Sequence, residues 1–230
     1  MEYIKIFGPN HLFYFIVLII FTALLFTNQT YIRKHSNTIS KVIVVISILQ
    51  QFLLYGSYAL LGEFTLQESL PFHISRINTI LGIIFLFTKS KTLFNIVAYF
   101  SVFAWLSFIV PANIEPITHP RGVSFLTNHV ITLLLPFYGM IAYGYKVQAS
   151  ARKTVIGWFL LYFIFVAFFN PLVNGNYFYL RDKPIFASLP NIIYYPGAIV
   201  VSIILFFIIE QIYRFVNHSF INNKTDERVQ

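Results

Sequence analysis

Two histidines and an arginine stand in stretches otherwise suited to lipid. His73 and Arg76 lie three residues apart in LPFHISRINTI, and His129 lies within FLTNHVITLLLP. An imidazole takes up or releases a proton near neutral pH. A guanidinium holds a carboxylate or phosphate through two parallel hydrogen bonds. Together these types suit proton abstraction from water or a hydroxyl, with an anionic group held nearby. His129 is the candidate general base, with His73 as its partner or as an oxyanion donor. The chain has no Cys, which excludes thiol nucleophiles, disulfides and zinc–thiolate sites. Two histidines without a neighbouring carboxylate make a poor metal site, so neither metal nor cofactor is expected.

A second dense stretch is NPLVNGNYFYLRDKP, Asn170 to Pro184. Asn170 and Asn174 are four apart and share a helix face. Tyr177, Phe178 and Tyr179 are either an interfacial aromatic belt or a lid. Arg181 and Lys183 are candidate contacts for a phosphate. His11, in GPNH, completes the set.

These residues need a scaffold, and composition names its solvent. The chain of 230 residues is 57% hydrophobic and 10% charged, against roughly 25% charged in soluble domains. Seven segments approach the ~20 apolar residues that span a bilayer: about 11–27, 41–61, 69–87, 92–110, 122–143, 154–173 and 194–215. The expected fold is an all-α, polytopic transmembrane bundle of seven helices, one integral membrane domain over 1–230 with a short tail at 216–230. The first segment lacks a charged leader and a cleavage site and reads as a retained helix.

Lys and Arg set the orientation. With the N-terminus outside, the inner connections hold Arg33, Lys34, Lys41, Lys89, Lys91, Lys146, Arg152, Lys153, Arg214, Lys224 and Arg228. The outer ones hold only Lys5, Arg121, Arg181 and Lys183. The bias predicts N-out and C-in, and it accounts for the net charge of +8 without nucleic acid. His11, His73, Arg76, His129, Asn170 and Asn174 then all fall in the outer half. The inner half is nearly pure Ile, Leu, Val and Phe apart from Glu210. Ionisable groups at one depth in a bilayer imply a shared cavity.

Plainer roles stay open for each. His11 caps or is solvated. Arg76 snorkels or pairs with Glu63 or Glu68. His73 and His129 join helices by hydrogen bonds. Asn170 and Asn174 cap a helix end, and Glu210 is interfacial.

LPFHIS opening a helix, NH at Asn128–His129, NYFYLRDKP followed by SLPN, YYPG at Tyr194–Gly197 and an FxxxH-like start ending at His11 occur in one order. In order and spacing they resemble the YwaF-like bacterial integral membrane proteins, from about Phe7 to Tyr213. That pattern reads LPLHLC, then SH, then NYMYLxxKP with SLLD and a GPWPWY-like stretch. The resemblance implies a multi-helix fold in a bacterial cell membrane. A eukaryotic branch is similar to cysteine-centred phospholipid acyltransferases, in which a Cys near the first His motif and a His in the second carry the reaction. The corresponding His here is His129. The positions for the Cys hold Phe72 and Ser75, which excludes a thioester.

The expected function is action on a lipid or lipid-linked substrate from the outer leaflet, by acyl transfer or hydrolysis, with membrane lipids as the partners. The alternatives are a non-enzymatic ligand or lipid binder or transporter, and a structural partner of another membrane protein.

Overall fold

The structure is a computed structural model that describes residues 3–183 and 186–221. Pro184, Lys224 and Arg228, and the tail from 222 onward, lie outside the described residues. The described residues form helices and no strands. The α-helices are α1 (Pro9–Thr27), α2 (Gln29–Lys34), α3 (Ser36–Leu60), α4 (Ile74–Thr88), α5 (Lys91–Ile109), α6 (Pro120–Tyr143), α7 (Arg152–Val173) and α8 (Asn191–Val216).

Six of these, α1, α3, α5, α6, α7 and α8, are long and apolar enough to cross a membrane. The chain is therefore a multi-pass membrane protein. The expected third span, 69–87, differs from the structure. Pro71 disfavours helix at Leu70, and His73 is an extended N-cap at φ −64°, ψ 134°. Helix begins only at Ile74 and runs 15 residues, about 22 Å at ~1.5 Å per residue. That is short of the ~30 Å hydrocarbon core. The connection after α1 holds Arg33 and Lys34. It contains the short helix α2, set off by breaks at Asn28 and His35.

The middle of the bundle is α5 and α6. Their apolar windows are 67% and 72% buried, against 17% for α1 and α8, so the latter two turn most of their surface to lipid. Close helix contact depends on small residues. A Cβ at Gly139 would stand 2.8 Å from the Phe94 ring, and one at Gly82 would stand 2.7 Å from Leu135.

We call the end where α1 starts the amino end and the opposite one the far end. The far end is more polar than expected. Glu210 is fully buried. Arg152 donates to its Oε2 from Nε at 2.8 Å, and Tyr99 donates to the same oxygen at 2.6 Å. Arg214 stands 3.6 Å from Oε1. Glu210 is thus a buried tie between α5, α7 and α8, in contrast to the interfacial residue expected. Nearby, Ser40 meets the Tyr138 hydroxyl at 2.7 Å, and Tyr143 bonds both Ser40 and Lys89.

Removing one partner of a buried pair leaves the other charge uncompensated. Arg152→Ala should cost about 3 kcal/mol, the low end of that range because Arg152 keeps some water contact. Arg152→Ala with Glu210→Gln should recover part of the loss. Thermal unfolding of the detergent-purified protein checks both.

Candidate functional site

The amino end is assembled around Tyr177. The Asn170 side chain accepts from the Tyr177 backbone N–H at 2.9 Å and donates to the Tyr177 carbonyl at 2.9 Å. Asn174, at φ 52°, closes α7 in the left-handed conformation that Asn tolerates. Phe178 and Tyr179 follow with φ of 59° and 54°. The Phe178 ring is driven down among Phe103, Phe159, Tyr162 and Phe163, and this burial offsets the backbone strain. The Tyr177 hydroxyl donates to the Leu66 carbonyl at 2.8 Å and accepts from the Leu70 N–H at 3.2 Å. One tyrosine therefore fixes the chain that precedes α4.

That chain presents His73. Its Nε2 lies 3.1 Å from the Glu68 carboxylate, so Nε2 carries the proton in this contact. A carboxylate does stand beside one histidine, which the sequence reading did not expect. Arg76 donates to the carbonyls of Glu68 at 2.7 Å and Leu70 at 2.8 Å, and to the Tyr58 hydroxyl at 2.9 Å. Arg121, at the start of α6, meets the carboxylates of Glu63 and Glu115, each at 2.7 Å. Both guanidiniums lie over the Tyr58 ring, at 5.6 Å and 5.3 Å from its centroid.

Below this charged rim lies a cavity of about 930 Å³. Gln50, Ser75, Ser124, Asn128 and His129 line it, together with His73 and Arg76. Gln50 donates to Ser124 at 2.5 Å, and Thr79 donates to Asn128. His129 is 3% exposed. Its Nδ1 lies 2.9 Å from the Phe125 carbonyl. A carbonyl only accepts, so Nδ1 bears the hydrogen, and in the neutral ring Nε2 is left as a bare acceptor. Nε2 has no hydrogen-bond partner among the described residues. Buried polar atoms usually have one. An unpartnered lone pair on a residue that lines a cavity suits abstraction of a proton once a group reaches it.

The other sequence candidates lie elsewhere. His11 is 1% exposed, with Nδ1 accepting from the Phe7 N–H and Nε2 donating to the Phe108 carbonyl, both at 2.9 Å. It fastens α1 to α5 away from the cavity. Asn170, Asn174 and Tyr177 support the roof and do not line the cavity. Arg181 donates to the Asn174 carbonyl. Lys183 donates to the Leu189 carbonyl at 2.6 Å and stands over the Tyr194 ring. Neither lines the cavity. Glu63, expected as a partner of Arg76, pairs with Arg121 instead, and Glu115, Tyr58, Ser124 and Asn128 were not among the site candidates. The clue available for the two glutamates was that acidic residues are scarce, only 8 in the chain, yet both fall in connections at the end that carries His73.

The match of a family model settles the broader identity. It covers residues 6–213. The chain belongs to the TMEM164 family. No curated protein and no solved structure matches it. The matched region runs from before α1 almost to the end of α8, and so includes every residue of the rim and cavity named above. Among the described residues no group of three or more His, Cys, Asp or Glu could hold a metal ion.

Two outcomes test this geometry. Asn170→Ala removes both bonds to the Tyr177 backbone and should cost about 2 kcal/mol, read as a lower unfolding temperature. Glu68 titrates outside the helices. Burial raises its pKa, but the hydrogen bond and charge of His73 and the charge of Arg76 outweigh this and hold it below the ordinary value. A depressed carboxylate stabilises above its unfolded pKa of about 4.3 and loses that as pH falls through the folded value. Glu68→Gln should therefore lower stability at pH about 7, flatten the acid limb, and converge with wild type once pH falls below the folded value. Thermal melts across pH read this.

Proposed function

We propose that this TMEM164-family protein acts on a lipid or lipid-linked substrate held in the amino-end cavity, with His129 as general base. One observation carries the reading. His129, whose Nε2 is buried without a partner, lines a cavity of mixed lining. Gln50, His73, Ser124 and Asn128 contribute polar groups, while Phe103, Leu106, Ala198, Val201 and Leu205 contribute apolar surface. An amphiphile presents both kinds of surface. The motif likeness to phospholipid acyltransferases supports acyl transfer or hydrolysis as the reaction. His129 would take the proton of a substrate hydroxyl or a water as it attacks the carbonyl of an acyl ester, and would return that proton to the departing alkoxide as the old ester bond breaks. The Nε2 proton of His73 is committed to Glu68, so His73 would act on the site through that carboxylate and not as an oxyanion donor.

The Lys and Arg bias supports an N-out orientation, which places the cavity on the outer side of a bacterial plasma membrane. A phosphate clamp by Arg181 and Lys183 finds no support, since backbone carbonyls hold both. The charged rim carries Glu63, Glu68 and Glu115 against Arg76 and Arg121, and both arginines are engaged. A transport path is disfavoured by the packed Phe100, Phe103 and Phe206, none more than 6% exposed, which close the bundle beneath the cavity.

The test is lipid profiling of a deletion strain complemented with wild type, His129→Ala or Ser75→Ala, with protein levels measured. A lipid species that changes on deletion should return with wild type and stay changed with well-expressed His129→Ala. In a purified assay of that species the rate should fall at least 100-fold. Ser75→Ala should keep most of the activity if substrate hydroxyl or water attacks directly. Its full loss would route the reaction through a seryl ester. A well-expressed His129→Ala that restores the profile would overturn the general-base reading.

A further inference from the structure

The far-end half and the amino-end half of α8 use different faces. Ser202, Phe206, Ile209 and Tyr213 are buried and point at α5, with Phe206 ringed by Tyr99, Phe100, Phe103 and Phe159. A second stripe recurs at helical spacing: Tyr194, Gly197, Ala198, Val201 and Leu205. All five line the cavity. Tyr194, Ala198 and Leu205 also pack at their edges against the core, whereas Val201 is 54% exposed. A Cβ built at Gly197 meets nothing within 4 Å. The stripe is small or aliphatic throughout its middle, and it faces Phe103 and Leu106 of α5 across the cavity.

We propose that this stripe is a groove for a single acyl chain, and that its length measures the chain. The inference deepens the lipid reading above and rests on it. From Tyr194 to Leu205 the groove is about 16 Å long at ~1.5 Å rise per residue. An extended alkyl chain advances about 1.3 Å per carbon, given bonds of ~1.5 Å at tetrahedral angles. The groove therefore takes about 13 carbons before the chain meets the closed aromatic floor at Phe206 and Phe103. Each methylene seated against this wall should raise affinity about fourfold, until the floor is reached. The open middle, at Gly197 and Ala198, is what keeps the groove passable, and Val201 lies one turn above the floor. A large side chain at 201 raises the floor by one turn, equivalent to about four carbons. One at 197 raises it by about two turns.

Native mass spectrometry of the full chain tests this. The probes are saturated monoacylglycerols of roughly 8 to 18 carbons, bracketing the length derived from bond geometry. Retention by wild type should peak near 13 carbons and fall beyond it. Val201→Phe should move the peak about four carbons shorter. Gly197→Phe should lose the longer probes altogether. Gly157→Phe is the control: the same change on α7, at an exposed glycine whose Cβ also meets nothing, should keep the wild-type peak. Variants that bind with an unmoved peak would overturn the groove while leaving an amphiphile in the cavity. Absence of retention by wild type at every length would overturn both.

Discussion

The amino end of this protein depends on how one tyrosine is held. Tyr177 has no exposed surface, and its backbone is bracketed by a single asparagine while its hydroxyl bridges a carbonyl and an N–H in a different connection. In a bilayer, irregular backbone is tolerated only where its polar groups find partners inside the protein. The stretch from Leu61 to His73 is such backbone. Without the Tyr177 bridge, the Leu70 N–H would lose its partner and His73 would have no fixed starting point. The short α4, the Glu68–His73 contact and the Arg76 bonds to Glu68 and Leu70 all follow from that anchoring.

His129 shows the opposite use of burial. Its helix satisfies one ring nitrogen and leaves the other buried without a partner. The Phe125 carbonyl that accepts from Nδ1 fixes the tautomer. A hydrogen bond local to the helix therefore decides which nitrogen is left as an acceptor, with no third side chain needed to orient the ring.

Much of this was legible in the residues. Helical spans follow from runs of Ile, Leu, Val and Phe, which have no other stable solvent. The end at which His73, Arg76 and His129 gather was legible for the same reason, because ionisable groups in such runs are rare. What was not legible depends on pairing across the fold. Glu68 is five residues from His73 in the chain and meets it only because the turn at Pro71 folds back. Arg121 meets Glu63 from a distant helix. Asn170 and Asn174 share a face, yet one clamps a tyrosine and the other ends the helix, and spacing cannot separate those roles. Glu210 looked interfacial because its partners, Tyr99 and Arg152, sit on two other helices.

The two halves of α8 have separate obligations. The lower half is committed to Tyr99, Phe206 and Glu210, where any change disturbs three helices together. The upper half packs on the core only through partly buried residues such as Tyr195, Ala198 and Ile199, while Gly197 and Val201 have room to change. A helix divided in this way lets evolution retune what a site admits independently of whether the protein folds. Variation among relatives should then concentrate on that upper stripe, while the lower one stays monotonous.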